Sequence, residues 1–379
     1  MMNNLGLYIH IPFCKKKCAY CDFYSTVSSE EVMKAYASAV KRQIAGLSPE
    51  AQGRKVDSVY IGGGTPSILP PELLLEILEA AKKHFDFLEN CEISMEANPA
   101  TVTKDSLCAY RQMGINRLSF GVQSSNDPTL KKIGRLHSYK EALDSIELAD
   151  SCGFSNLNAD LMYGLPGQHL SDLLSAIGDL ENAGLSHISL YGLRVEKNTP
   201  FGRDRSLVLP SEEFQSEMYL RSVEALEKRG FRQYEISNFS KEGRACRHNL
   251  RYWLREEYLG FGPSACSFFG NFRFSIPRAL GQYLGTEDFS LSSPLYTERE
   301  ELTERDRLEE EIILSLRLKQ GCEEEKLIQN SHEQEKTLRY LSFLVSSGYA
   351  GREGGRFFLS PAGMLVSNEI LSELLLQIL

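Results

Sequence analysis

The sequence predicts an α/β protein: a complete or partial (β/α) barrel followed by a smaller α+β module. Three observations carry that expectation. Strand-like apolar segments alternate with amphipathic helices of about 10 to 15 residues through the first 230 positions, as parallel βαβ units do. About six such units in a row favour a barrel over a doubly wound sheet. Beyond them the pattern changes twice, dividing the 379 residues into a barrel (1–230), an aromatic and glycine-rich extension (231–296) and a C-terminal unit (297–379).

The elements follow in order. An apolar strand around Tyr8 stops at Pro12 and runs into a loop carrying Cys14, Cys18 and Cys21, spaced C-x3-C-x2-C. A helix over 29–47 is opened by Ser28 or Ser29, with glutamates in its first turn. The strand 56–61 ends in Gly62, Gly63, Gly64, Thr65, Pro66 and Ser67. Helix 73–85 leads to strand 92–99, closed by Pro99, and helix 104–113 leads to strand 117–123. Helix 139–151 precedes strand 156–166, helix 170–183 precedes strand 187–194, and a long helix covers 212–228. From Phe231 the glycines and aromatics, with the single tryptophan Trp253, read as a loop system lining a pocket. In the last unit the charged run Glu298–Glu311 opens a helix whose Leu308, Ile312 and Leu316 recur at i+4. A second helix carries Leu338, Leu341 and Val345; Gly348 ends it, a hairpin forms around Gly354 and Gly355, and Pro361 starts the last helix.

Composition narrows the function. Hydrophobic residues at 42% and charged residues at 25% describe a folded, soluble chain. No apolar run approaches the roughly 18 residues that span a bilayer, and no signal peptide precedes Tyr8, so a cytoplasmic protein without a transmembrane segment is expected. Nine irregularly spaced cysteines suit reduced thiols better than a disulfide framework. A net charge of −9 argues against nucleic-acid binding. Lys15, Lys16 and Lys17 form a local positive patch, read equally as a dock for an acidic electron carrier or as a solvated loop.

Three thiolates on one loop make a metal site. Zinc wants four ligands, and an iron–sulfur cube also prefers four cysteines, so a three-cysteine loop leaves one iron open for chemistry. A zinc site completed from elsewhere, or three unrelated cysteines, is the alternative. In (β/α) barrels chemistry sits at the C-terminal ends of strands. The unusual residues fall there: the cysteines after the first strand, Gly62 to Thr65 after the second, Glu96 after the third, Gln123 after the fourth and Asp160 in the fifth. The glycines admit a ligand close to the backbone. They match neither a P-loop nor the G-x-G-x-x-G pattern. Glu96, Gln123, Arg135 and Asp160 suit ribose hydroxyls and a carboxylate, Arg135 by its planar fork.

The cysteine spacing, with Tyr20 before the last cysteine, resembles the radical S-adenosylmethionine (SAM) superfamily. That resemblance implies a [4Fe–4S] cluster on Cys14, Cys18 and Cys21 whose open iron is chelated by SAM, and the open six-stranded form of the barrel. It implies a SAM site of Tyr8, Tyr20, Gly63, Gly64, Thr65, Glu96, Gln123, Arg135 and Asp160. YIHIPFC at 8–14, CDFYS at 21–25, GGGTPS at 62–67, GVQS at 121–124, DLMYGLP at 160–166 and HNxxYW at 248–253 look like the oxygen-independent coproporphyrinogen III oxidases and their HemW relatives. The oxidases resemble this chain but carry a fourth cysteine where Phe23 stands, and a long N-terminal extension where seven residues precede Tyr8. HNxxYW points to the HemW branch, understood as heme chaperones that insert heme into respiratory heme proteins and lack the oxidase activity. On that reading His248 is the heme ligand, Tyr252 and Trp253 offer flat area to the macrocycle, and Cys246 is a second contact. The alternative is radical decarboxylation of porphyrinogen propionates. A flavodoxin or ferredoxin electron donor and a homodimer complete the implied partners. The C-terminal unit resembles a winged-helix module, but its 10 Lys/Arg against 16 Asp/Glu, net −6, argue against DNA.

Overall fold

The computed structural model describes residues 4–378. Six strands, β1 (Leu5–Ile11), β2 (Lys55–Gly63), β3 (Asp86–Ala97), β4 (Arg117–Gln123), β5 (Leu157–Tyr163) and β6 (His187–Gly192), lie side by side in chain order, every neighbouring pair parallel. They do not close on themselves. Past β6 the chain turns back through β7 (Arg232–Gln233) and β8 (Asn238–Ser240), and β8 pairs antiparallel with β6. At the other edge β9 (Tyr258–Phe261) pairs parallel with β1, and β10 (Cys266–Phe269), β11 (Phe272–Ser275) and β12 (Thr297–Glu301) continue outward. The barrel is therefore the open, six-stranded form, widened at both edges.

Alternation along each strand decides which way side chains face. Leu7, Ile9 and Ile11, Val59 and Ile61, Ile93 and Met95, Leu118, Phe120 and Val122, Ala159 and Leu161, and Ile188 and Leu190 are all buried in one core. That core is completed by helix faces such as Tyr36, Val40, Ile44 and Leu47 of Glu30–Leu47, and Leu74, Ile77 and Ala81 of Pro71–His84. The intervening positions face the barrel interior and are polar or small: Ser58, Tyr60 and Gly62; Glu92, Ser94 and Glu96; Arg117, Ser119 and Gly121; Asn158 and Asp160; His187, Ser189 and Tyr191.

Helices Tyr139–Ser151 and Glu212–Lys228 fall where the periodicity puts them, and Ser29 is the N-cap of the first helix. Two expectations are corrected. The segment after Phe231, read as loops, holds β7 to β11 and the helix Arg247–Trp253. Its strands are four residues or fewer and owe their form to neighbours; at Gly260 a Cβ would lie 2.2 Å from the Cys266 carbonyl oxygen. The run 298–311 is not one helix: Thr297–Glu301 is an exposed edge strand paired with β11, suited to an edge by its charges. The helix starts at Glu304, where Thr303 and Asp306 form a capping box.

The C-terminal module has its own core around Leu316, Leu341, Phe357 and Leu374. Helices Glu304–Ser315, Glu324–Gln329 and Gln334–Ser346 pack with a three-stranded sheet of β13 (Cys322–Glu323), β14 (Ala350–Glu353) and β15 (Arg356–Leu359), followed by helices Pro361–Leu365 and Ser367–Ile378. This is the winged-helix-like arrangement of helices and hairpin. Glu310 joins it to the barrel extension, accepting from Arg255 and Arg273 at 2.6 Å each.

Candidate functional site

A cavity of about 620 Å³ opens at the C-terminal ends of the parallel strands, and Cys14, Cys18 and Cys21 lie on its wall. The cluster loop is held by backbone. Cys14 N–H donates to Thr26 O (3.0 Å), Thr26 N–H to Pro12 O (2.9 Å) and Ala19 N–H to Ile133 O (3.0 Å). The glycine run after β2 grips it from the side, Gly64 N–H donating to Ile11 O (2.8 Å) and Thr65 N–H to Phe13 O (2.7 Å). All three thiols are free and half-buried. Cys14 Sγ lies 3.3 Å from Thr65 Oγ1, and Arg135 Nη1 reaches Cys18 Sγ at 3.8 Å. Burial raises the Cys21 thiol pKa. Among the described residues no three His, Cys, Asp or Glu side chains converge as ligands of a single ion do. Three free, half-buried thiols on one loop, with a guanidinium beside Cys18, are a donor set that suits an iron–sulfur cube with one open corner.

The residues expected to hold SAM gather around the same space, with one exception. Tyr20, Gly63, Gly64, Thr65, Glu96, Gln123, Arg135 and Asp160 all line the cavity. Tyr8 does not; its hydroxyl bonds His10 Nδ1 (3.0 Å) and its ring stacks on Tyr60, which does reach the wall. Glu96 accepts from Tyr60 Oη (2.9 Å) and Gly63 N–H (3.2 Å). Burial, and then the charge of Asp160, push Glu96 up to about 7. Asp160 accepts from Asn158 Nδ2 (2.8 Å) and from Ser119 Oγ at 3.2 and 3.3 Å, and burial raises it as well. Gln123 is buried at φ +69°, a left-handed conformation that a non-glycine residue adopts at a cost, with Ser124 N–H closing onto Val122 O (2.9 Å). The Arg135 fork, expected to meet a ligand carboxylate, is turned to the protein itself, donating to the Gly121 carbonyl as well as to Cys18.

Below this level lies a polar floor that the motifs missed. Asn158 Nδ2 also donates to Ser119 Oγ (2.6 Å) and Ser189 Oγ (3.1 Å). His187 joins Asn158 Oδ1 (2.6 Å) to Tyr234 Oη (2.8 Å), and burial drives its pKa well down. Tyr60, Arg117, Ser119, Asn158, Ser189, Tyr191 and Asn249 line the cavity. The signal that marks all of them but Asn249, which lies on the helix Arg247–Trp253, is polar residues at every second position of strands whose other positions are aliphatic.

His248 sits differently from a pocket-loop ligand. It is fully buried on the helix Arg247–Trp253, Nδ1 bonded to Ser58 Oγ (3.1 Å), Nε2 to Tyr252 Oη (3.0 Å), and its ring stacks on Tyr60. Burial and then Arg251 push it down to about 3, so it is neutral. Glu92, itself buried, caps this helix by accepting from Arg247 N–H (3.0 Å). As the protein stands neither ring nitrogen is free for iron. Tyr252 packs edge-to-face on Tyr258, Trp253 lies under Arg317, and the Cys246 thiol, pushed up to about 12 by burial, donates to Glu92 (3.5 Å). Of the HNxxYW segment, Asn249 is what reaches the cavity wall.

Comparison with known proteins agrees with this architecture. The pattern of the radical SAM superfamily matches residues 8–180. A protein named heme chaperone HemW from Bacillus subtilis is 33% identical over 377 residues, 97% of this chain and 98% of that one. One of the same name from Escherichia coli is 39% identical over 280 residues, 73% and 72% of the two chains. The solved coproporphyrinogen III oxidase HemN of Escherichia coli superposes with a TM-score of 0.84 at 23% identity, covering 98% of this chain and 90% of that one, a likeness of fold. With a third of its residues shared along nearly the full length of a relative, and with three thiols set at the strand ends, the chain belongs to the HemW family of radical SAM proteins.

Proposed function

We propose that this chain is a heme chaperone: it binds heme, holds a [4Fe–4S] cluster on Cys14, Cys18 and Cys21, takes SAM into the adjoining cavity, and delivers heme to respiratory heme proteins. The observation that carries the reading is the match, along almost all of both chains, to proteins named heme chaperones. Phe23, 67% exposed at the cavity mouth, supports it, because the oxidases are expected to have their fourth cysteine there. Exposed Lys15, Lys16 and Lys17 beside the cluster loop suit an acidic reductant such as a flavodoxin or ferredoxin. The test is anaerobic reconstitution followed by separate titrations with heme and with coproporphyrinogen III. Heme is expected to bind with a shifted Soret band, and coproporphyrinogen III to remain unconverted; robust formation of protoporphyrinogen IX would place the protein with the oxidases.

SAM binding carries its own pH signature. The Glu96 carboxyl, displaced up to about 7, is neutral below that pH and an anion above it. Since SAM is cationic, its affinity is expected to rise as pH passes upward through about 7, and to lose that step in Glu96→Gln. A pH series of SAM titrations followed by the EPR spectrum of the reduced cluster measures both; an identical step in Glu96→Gln removes the assignment.

A further inference from the structure

The floor of the cavity holds a guanidinium whose charge faces nearby carboxylates but whose fork is left with idle donors. Arg117 is 1% exposed, yet it lines the cavity, and its Nε and Nη2 have no hydrogen-bond partner among the described residues. Buried arginines are ordinarily paired, because a desolvated charge with idle donors is costly. Arg251, the other fully buried arginine of the barrel, shows the usual arrangement: it pairs with Asp57 and donates to Ser58 and to the carbonyls of Asn4 and Glu257.

The carboxylates around Arg117 are each committed elsewhere. Glu92 caps the helix Arg247–Trp253 and accepts from Ser94 Oγ (3.2 Å). Glu96 is held by Tyr60 and Gly63, and Asp160 by Asn158 and Ser119. Arg135, the other cavity arginine on this wall, is turned to Gly121 and Cys18. In register Arg117 lies beside Ser94, while Glu96 lies beside Ser119, so its backbone is two residues deeper, about 6.6 Å, than the Glu96 level.

We propose that Arg117 is the receptor for a carboxylate carried by the ligand that fills the cavity floor. A planar fork with idle donors matches a carboxylate in bidentate fashion. A phosphate dianion fits poorly, since Glu92, Glu96 and Asp160 already surround the site. Two ligands bring such a group: heme through a propionate, which rests on the chaperone reading above, and a SAM molecule not chelated to the open iron, through its methionyl carboxylate.

The experiment separates the two on the reconstituted protein. Wild type, Arg117→Gln and Arg117→Lys are titrated with hemin and with hemin dimethyl ester, and with SAM and decarboxylated SAM; iron content and thermal unfolding confirm that each variant is folded. Wild type is expected to prefer the free acid of one pair by at least about tenfold, the size of one charge-assisted hydrogen bond. That preference should vanish in Arg117→Gln and return in part in Arg117→Lys. The pair that shows it identifies the ligand. If wild type takes up no hemin, the chaperone reading falls and the SAM pair alone decides for or against Arg117. Equal binding of acid and blocked forms by wild type in both pairs overturns the proposal, and needs no variant to do so. So does a preference that survives intact in folded Arg117→Gln.

Discussion

Gly64→Val is expected to give a folded barrel that cannot hold its cluster. A Cβ at this position would lie 2.5 Å from the Phe13 carbonyl oxygen, 3.0 Å from that of Ile11 and 3.1 Å from Cys14 Sγ. The first two are backbone and cannot rotate away, and valine adds two methyl groups to the same space. Relief requires the cluster loop to separate from the end of β2, breaking the bonds from Gly64 N–H to Ile11 O and from Thr65 N–H to Phe13 O. The outward aliphatic face of β2, Val59 and Ile61, is untouched, so the core survives. Iron content and visible charge-transfer absorption after anaerobic reconstitution should fall as far as in Cys14→Ala, while the melting temperature drops by only a few degrees, as about 1 kcal/mol would cause in a chain of this size. Gly281→Ala, where a Cβ would meet nothing, is the matched control. Full iron loading in Gly64→Val would show that the loop seats its cluster without the glycine.

The barrel was legible because its strands and helices obey two periodicities at once. Helix Tyr139–Ser151 and strand Arg117–Gln123 carry enough aliphatic residues for their ends to be fixed locally. The site was legible to the depth of the strand ends, where cysteines, glycines and a carboxylate interrupt apolar runs. It was less legible at the floor, where alternation marks Ser119, Asn158 and Ser189 as inward-facing but their meaning comes from their neighbours across the sheet. The same holds for the extension. β9 is a strand because Gly6 to Ile9 of β1 lie alongside it, a pairing of segments some 250 positions apart. Arg135 reaches the cavity wall as its chemistry suggested, but its contacts to the Gly121 carbonyl and the Cys18 thiol come from geometry that no local pattern carries.

Tyr252→Phe is expected to make histidine-ligated heme easier to form, and His248→Ala to abolish it. The bond between Nε2 and the Tyr252 hydroxyl, 3.0 Å long, is what keeps that nitrogen occupied, and phenylalanine removes it while preserving the edge-to-face contact with Tyr258. A net hydrogen bond is worth about 1 kcal/mol, so the released form should gain roughly fivefold in population and heme affinity should follow. His248→Ala should lose the shifted Soret band yet keep its cluster, since no cluster cysteine bonds to this helix. Acid does not separate the held and the iron-bound states. Buried, His248 stays neutral down to about 3, against an ordinary value of 6.5. The held and the iron-bound imidazole are both without the extra proton above about 3, so heme ligation by His248 should show no acid step at 6.5, the value at which a freely exposed imidazole would lose its ligand lone pair. Stability does respond over that range. Between the two values the unfolded chain binds the proton that the folded chain refuses, so this residue's contribution to stability is complete above 6.5 and declines as pH falls toward 3. Heme spectra unchanged in both His248→Ala and Tyr252→Phe would show that another residue holds the iron.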